Sequence, residues 1–217
     1  FHGHQGFVLG SAITPDGTLA ISASADHTIR IWDLTTGQHI HGFQAQQESV
    51  NKVAMTPDGT RAISANSDQI LRVWNLIEGN QLLTLEGHQG WILGLAISPD
   101  GTHAISASSD NTVRVWDLRN GAQIQELMGH EGWVYSVAFT PDSARAVSAS
   151  DDHTLRVWDF QSGQEIRKLE GHSDLVFLVK ITPDGCRAVS SSYDQTIRIW
   201  DLDQGTCCAE IPQGTPV

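Results

Sequence analysis

The sequence predicts an all-β protein built from five copies of one four-stranded antiparallel sheet. A tryptophan returns every 42 residues, at Trp32, Trp74, Trp116, Trp158 and Trp200. An aspartate keeps the same interval, at Asp26, Asp68, Asp110, Asp152 and Asp194. A fixed period of this length is typical of a repeat architecture in which each copy is one supersecondary unit. Five periods account for nearly all of the 217 residues.

The third copy shows the strand and turn signals in order. Its first strand ends at Pro99-Asp100-Gly101, where proline presets φ and glycine supplies a left-handed position. Ser109-Asp110-Asn111 and Gly121 mark the next two turns. Short connections between short strands favour antiparallel hairpins, and no helical periodicity appears. The predicted strands are Trp91–Ser98, His103–Ser108, Thr112–Leu118 and Ala122–Leu127.

Three short motifs recur with this period, and in the third copy they are Gly87-His88, Ser108-Ser109-Asp110 and Trp116-Asp117. They resemble the signature of the WD-repeat β-propeller family, and the resemblance covers the whole chain. It implies that each sheet is a blade and that 1–217 is a single propeller domain. The implied repeats are about 3–44, 45–86, 87–128, 129–170 and 171–212. The repeats also look like the near-identical arrays of bacterial, especially cyanobacterial, signalling proteins.

The number of blades bears on how the array closes. WD-repeat propellers usually have about seven blades, so five would leave two apolar blade faces exposed. We therefore expect the chain to be the C-terminal part of a larger propeller. A five-bladed ring, or an open arc completed by another chain, is the alternative.

Composition argues against several classes of function. The net charge is −12 and only three lysines are present, so no basic stripe is available for nucleic acid or for an anionic membrane surface. No apolar run approaches the 18 residues of a membrane span. Three cysteines, two of them adjacent, suit neither a disulfide framework nor a metal site and favour a reducing, cytoplasmic compartment. The glycines are single turn residues, so no cofactor is expected.

Asp, His and Ser recur together with the tryptophan, and such a set can be read as an acyl-transfer nucleophile. Its fourfold recurrence argues against that interpretation, because a nucleophile needs one exposed site. The resemblance implies instead a structural hydrogen-bonded chain from Asp to His to Ser to Trp. The four sets are His4, Ser22, Asp26 and Trp32; His88, Ser106, Asp110 and Trp116; His130, Ser148, Asp152 and Trp158; and His172, Ser190, Asp194 and Trp200.

The choice of serine stays open, since Ser24, Ser108, Ser150 and Ser192 lie two residues further on the same strand face. In the second repeat Gln46 replaces the histidine. We expect that blade to be the least rigid, with Ser64, Asp68 and Trp74 satisfied in another way. Arg30, Arg72, Arg114, Arg156 and Arg198 also recur, which favours packing or inter-blade ion pairs over a ligand clamp.

Positions that differ among the copies are free to carry specificity. On one face these are the first and third residues of strand one and the residue before the recurring aspartate. The resemblance implies that they line a rim where partners bind. They are Phe7, Leu9 and Ala25; Ser49, Asn51 and Ser67; Trp91, Leu93 and Ser109; Trp133, Tyr135 and Asp151; and Leu175, Phe177 and Tyr193.

Two of the seven tryptophans, Trp91 and Trp133, lie outside the periodic set, and both fall on this rim. So do both tyrosines of the chain, Tyr135 and Tyr193. Clustered Trp and Tyr are typical of binding hot spots, although the rings can also serve to pack blades together. We therefore predict a non-enzymatic module that binds a protein or peptide, as the sensor or interaction part of a larger signalling protein. The alternative is a structural array that completes a ring with upstream repeats or self-associates through its exposed blade faces.

Overall fold

The computed structural model describes residues 3–14, 16–45 and 49–212. These residues form strands and turns without a helix, so none of them forms a helix able to cross a membrane. In chain order the strands are β1 Val8–Ile13, β2 Leu19–Ser24, β3 Thr28–Asp33, β4 His39–Gln44, β5 Val50–Met55, β6 Arg61–Asn66, β7 Leu71–Asn75, β8 Gln81–Leu85, β9 Ile92–Ile97, β10 His103–Ser108, β11 Val113–Asp117, β12 Gln123–Leu127, β13 Val134–Phe139, β14 Arg145–Ser150, β15 Leu155–Asp159, β16 Glu165–Leu169, β17 Val176–Ile181, β18 Arg187–Ser192, β19 Thr196–Asp201 and β20 Thr206–Pro212.

The strands form five separate antiparallel sheets of four consecutive strands each, and the predicted all-β fold is confirmed. We call these sheets blades one to five. In the third blade all four predicted strands are present, and the first, third and fourth begin one residue later than predicted. The predicted Pro-Asp-Gly turn closes through a bond from the Gly101 N–H to the Ser98 carbonyl (2.8 Å). Gly101 takes a φ of +71°, as a turn glycine can without strain.

Four apolar clusters join the five blades in order, one at each junction. We call the side of a blade that meets the next blade its leading face, and the opposite side its trailing face. At the third junction Ile105 and Val115 of the third blade pack against Val134, Phe139 and Trp158 of the fourth. The remaining clusters repeat this arrangement at the other three junctions. Because one twisted sheet cannot cover both of its faces, each blade depends on its neighbours for burial.

The inner strands of adjacent blades approach closely enough to restrict side-chain size. A Cβ built on Gly94 would lie 3.0 Å from Ser136 Cα and 3.1 Å from the Tyr135 carbonyl oxygen. Both contacts are with backbone, which cannot swing aside. A glycine at this position therefore sets the spacing between the third and fourth blades.

We expect a buried leading-face residue to contribute far more to stability than its counterpart on the fifth blade. Val147 is fully buried at the fourth junction, whereas Val189, at the same position of the next repeat, is partly exposed. Val147→Ala removes two buried methyl groups and should lower the free energy of unfolding by about 2 kcal/mol. Urea unfolding followed by tryptophan fluorescence measures the loss. Val189→Ala is the matched control and should cost less than about 1 kcal/mol, and equal losses would contradict the assigned packing.

Candidate functional site

The third blade shows the geometry of the recurring Asp-His-Ser-Trp set. His88 Nδ1 lies 2.7 Å from Asp110 Oδ2, and His88 Nε2 lies 2.7 Å from Ser106 Oγ. Trp116 Nε1 donates to Ser106 Oγ at 2.8 Å. With the carboxylate accepting from Nδ1–H, Nε2 is left to accept from the serine hydroxyl. The four side chains form one continuous chain of hydrogen bonds.

The structure brings the same atoms together in the other three sets. The two histidine distances are 2.9 and 2.7 Å in the first blade, and both are 2.7 Å in the fourth and fifth. The indole donors lie 2.7–2.8 Å from the serine oxygens. The structure therefore assigns one serine to each set, and these are Ser22, Ser106, Ser148 and Ser190. The alternative serines accept instead from the backbone N–H of the recurring aspartate.

Each aspartate of these sets accepts more bonds than the sequence analysis anticipated. In the third blade the Thr112 hydroxyl donates to Asp110 Oδ1 at 2.7 Å, and the backbone N–H groups of Gln89 and Thr112 also donate to the carboxylate. Burial raises the pKa of Asp110, but the bonds from His88, Thr112 and Gln89 outweigh burial, and its pKa lies well below the ordinary value. The missed threonines keep the 42-residue interval and were detectable on that basis; they are Thr28, Thr112, Thr154 and Thr196.

The serine of each set is poorly suited to nucleophilic catalysis. Ser106 is fully buried, and its oxygen is engaged by both His88 and Trp116. Attack on a substrate would require removal of the indole and access through the packed junction. In addition, no group of three or more His, Cys, Asp or Glu within the described residues is placed to hold a metal ion.

In the second blade the described residues form an ion pair at the recurring aspartate. Its Gln46 lies outside the described residues. Arg72 donates to both carboxylate oxygens of Asp68, at 3.1 and 2.6 Å, and Trp74 still donates to Ser64 at 2.9 Å. Asn66 takes the place of the second serine and donates to the Ala45 carbonyl at 2.9 Å.

Ala45 explains why Arg72 turns towards Asp68. In the third blade a Cβ on Gly87 would lie 2.6 Å from Arg114 Nη1, so the glycine leaves room for the guanidinium. Ala45 occupies the position of Gly87 and is fully buried, so its methyl group takes that space. The displaced Arg72 therefore supplies Asp68 with two N–H donors.

Three of the other recurring arginines, Arg114, Arg156 and Arg198, pair within their own blades, so the expectation of inter-blade pairs is wrong for them. Arg114 Nη2 lies 2.9 Å from Glu126 on the neighbouring strand β12, and Arg198 pairs with Glu210 at 2.7 Å. Arg156 contacts Glu165 on β16. These pairs lock the third strand to the fourth at the outer side of the blade.

Backbone bonds place the variable rim positions together on one side of the molecule, which we call the upper face. The loop before strand one and the turn between strands two and three meet there. Ser109 N–H donates to the Trp91 carbonyl at 2.9 Å, Asp151 N–H to Trp133 at 2.8 Å, and Tyr193 N–H to Leu175 at 3.0 Å. The turns between strands one and two and between strands three and four lie at the opposite end of each antiparallel blade.

Five aromatic rings of the third, fourth and fifth blades lie on this upper face, and we call them the aromatic surface: Trp91, Trp133, Tyr135, Phe177 and Tyr193. The Trp91 and Trp133 ring centroids are 6.0 Å apart, Trp133 and Tyr135 are 6.3 Å apart, and Phe177 and Tyr193 are 5.6 Å apart. Trp91, Trp133 and Tyr193 are 53, 41 and 64% exposed. These three rings therefore remain accessible to solvent after the blades have packed together.

Tyr135 is partly buried and lies near the Asp151 carboxylate. Burial, the Asp151 carboxylate and Tyr193 all raise the pKa of its hydroxyl, in that order. The remaining predicted rim residues are arranged differently. Phe7 and Leu9 are exposed on the first blade, Asn51, Leu93 and Leu175 are partly buried, and none of them joins the ring contacts.

A comparison with protein families agrees with this architecture. The profile described as "WD domain, G-beta repeat" matches residues 1–33, 37–75, 79–117, 121–159 and 163–201. The chain belongs to the WD-repeat family. Each match ends at the Trp-Asp position that closes the third strand, or at Trp74-Asn75 in the second repeat.

Similar proteins match this WD-repeat chain only over about one repeat. It is 39% identical over 44 residues to eukaryotic translation initiation factor 3 subunit I of Phaeosphaeria nodorum, covering 20% of the chain and 13% of that protein. It is 38% identical over 45 residues to the small ribosomal subunit protein RACK1 of Schizosaccharomyces pombe, covering 21 and 14%. A cross-pathway control WD-repeat protein of Flammulina velutipes is 54% identical over 35 residues, covering 16 and 11%. These relatives are eukaryotic, and the bacterial placement stays a prediction.

Removing the serine from a complete set should cost more than removing it from the second blade. Ser106→Ala leaves His88 Nε2 and the Trp116 N–H without partners in a buried site, and we expect a loss of about 3 kcal/mol in unfolding free energy. Among the described residues, Ser64→Ala leaves only the Trp74 N–H without its partner, and it should cost about half as much. Chemical denaturation of both variants tests the difference, which equal losses would contradict.

Acidification should destabilise the protein in two stages. Burial lowers the pKa of His172 more than Asp194 raises it, so the unfolded chain takes up this proton first as the pH falls below about 6.5. The lowered pKa values of Asp26, Asp110, Asp152 and Asp194 add a second loss as the pH falls below about 4. Urea midpoints between pH 7.5 and 3 measure both stages.

Asp110→Asn provides the control for this dependence. It should be less stable than the wild type at pH 7 and should lose less stability below pH 4, because one titrating carboxylate is absent. A wild-type midpoint that stays constant, or rises, between pH 7.5 and 3 would contradict the assignment.

Proposed function

We infer that this chain is a non-enzymatic scaffold that binds a protein or peptide through the aromatic surface. The observation that carries the inference is the position of the non-periodic tryptophans. Trp91 and Trp133 are not needed for the recurring hydrogen-bonded sets, yet they lie in contact and half exposed on the upper face. Exposed rings of this kind cost solvation in the free protein and supply much of the binding energy at interfaces.

The carboxylates beside the rings favour a partner that also carries Arg or Lys. Glu131 and Asp151 are exposed next to the aromatic surface, and neither is in an ion pair with any residue in the described part of the chain. The net charge of −12 also favours a positively charged partner. An apolar or aromatic segment with basic side chains would match both the rings and the carboxylates.

The proposed biological setting rests on resemblance to other repeat proteins. The resemblance to bacterial arrays supports a sensor or interaction role within a larger signalling protein in the cytoplasm. The names of the similar proteins refer to translation initiation and the ribosome, and those roles belong to those proteins. Neither setting alters the binding chemistry of the aromatic surface.

A second candidate function is structural. The outer faces of the first and fifth blades are open, with Val8 and Ile13 of the first blade 55 and 61% exposed. In this case the five blades complete a larger ring with further repeats, or associate with other copies, and need no ligand on the upper face. The aromatic rings would then serve only the packing of the upper loops.

Replacing two rings separates these functions. Trp133→Ala with Tyr135→Ala should weaken binding of a peptide, selected on the wild-type chain from a random phage-displayed library, by about thirtyfold or more. Isothermal titration calorimetry measures the affinity, and differential scanning calorimetry measures Tm. An unchanged Tm with lost binding supports recognition by these rings.

Ile77→Ala is the control for this experiment. Ile77 is 80% exposed in a turn on the opposite face, so its loss should leave peptide affinity unchanged. Selected peptides that bind both variants equally well would overturn the aromatic site. Loss of folding in the double variant would instead support the packing role.

A further inference from the structure

The two outermost blade faces repeat, position by position, the two sides of an interface that the chain already forms four times. At each junction a leading face with four apolar β-residues meets a trailing face that begins with a valine or isoleucine. The trailing-face residues Val50, Ile92, Val134 and Val176 are all fully buried. Val8 occupies this position on the first blade and is 55% exposed.

The trailing face of the first blade forms an apolar cleft of about 460 Å³ whose lining includes Val8, Ile13 and Leu34. At the fourth junction the matching residues Val176, Ile181 and Leu202 pack against the fourth blade. The first blade therefore presents a surface of the kind that another blade covers elsewhere in the molecule.

The leading face of the fifth blade presents the other half. Val189, Ile197, Ile199 and Ile211 are partly or largely exposed there. Their counterparts on the fourth blade are fully buried against the fifth, and they are Val147, Leu155, Val157 and Leu169. Both halves of a fifth junction are present and uncovered in one molecule.

Polar groups at the edge of the junction show the same match. Arg61 Nη1 donates across the second junction to the Leu118 carbonyl at 3.1 Å, and Arg145 donates across the fourth to Asp203 at 2.7 Å and to the Gly185 carbonyl at 3.3 Å. Arg187 holds this position on the fifth blade, and its side chain donates to no residue in the described ranges. On the first blade Gly17 and Leu34 hold the positions of Gly185 and Leu118.

Side-chain sizes are also complementary. Gly10 lies against Val53, where a Cβ would be 3.1 Å from the Val53 nitrogen, and the Ser136 hydroxyl accepts from the Val179 N–H at 3.2 Å. At these two junctions a small leading residue meets a valine, whereas Lys52 and Leu95 hold the same positions at the second junction. The corresponding residues of the uncovered faces are Leu178 and Ser11, in which the large and small side chains are exchanged. A large–small pair fills the same space as a small–large pair.

We propose that chains of residues 1–217 associate head to tail, with the fifth blade of one copy docked on the first blade of a second copy. The contact buries Val8 and Ile13 of one copy beneath Ile199 and Ile211 of the other, and Arg187 donates to the Gly17 and Leu34 carbonyls. Both faces are exposed within one molecule, so a second molecule supplies the contact. The interface is heterologous, so it extends into larger assemblies unless rotation closes a ring. The proposal is independent of the aromatic surface.

A pair of blocked variants tests the head-to-tail geometry. Ile13→Glu blocks only the first-blade face, and Ile211→Glu blocks only the fifth-blade face. Light scattering after size exclusion should show wild-type mass rising with concentration above the 23.6 kDa monomer. Each variant alone should stay monomeric. An equimolar mixture should give a species of twice the monomer mass and nothing larger, because one open face of each kind is left. A reducing agent keeps the exposed Cys186, Cys207 and Cys208 from cross-linking.

Two further variants sharpen the result. Ile77→Glu changes a more exposed apolar residue away from both faces, and this variant should associate like the wild type. Lys180 stands where the other blades carry Ala12, Ala54, Ala96 and Ala138 on the leading face. Lys180→Ala should therefore strengthen the association and lower its dissociation constant at least threefold. A wild-type chain that is monomeric at all concentrations, single variants that still associate, or a mixture that stays monomeric would each overturn the proposal.

Discussion

Apolar contact between neighbouring sheets is the interaction on which the rest of this molecule depends. Each blade has only four strands and two broad faces, and it buries them by stacking against the blades before and after it. This dependence makes the array a chain of nearest-neighbour interfaces, in which a blade in the middle is covered twice and a blade at the end is covered once. The hydrogen-bonded sets, the upper face and the uncovered ends all take their positions from that stacking.

Within a blade, the position of the hydrogen-bonded set and the position of the recurring arginine depend on each other. The histidine brings the loop before strand one onto the buried serine and tryptophan, while the preceding glycine makes room for the arginine that ties strands three and four together. The second blade shows that these parts are coupled. With Ala45 in the place of glycine, Arg72 moves to Asp68 and preserves a fully bonded aspartate by a different route.

Periodicity in the sequence was sufficient to predict the strands, the turns and the members of the recurring sets, because each is required by the same backbone geometry in every copy. It was not sufficient to choose between Ser106 and Ser108, which share a strand face and differ only in what lies opposite them. Periodicity was also not sufficient to predict the ion-pair partners of the arginines. Arg114 and Arg72 occupy the same position in their repeats. The residue opposite on the fourth strand is Glu126 for Arg114 but Thr84 for Arg72. Such choices are decided by competition among nearby donors and acceptors in three dimensions.

The buried histidines have a consequence for the kinetics of recognition. Because His88, His130 and His172 anchor the loops that carry Trp91, Trp133 and Leu175, these loops are ordered before any ligand arrives. A partner that meets an ordered surface surrenders little conformational entropy from the protein side and need not wait for a loop to close. Differences in affinity among partners would then appear mainly in how slowly they leave.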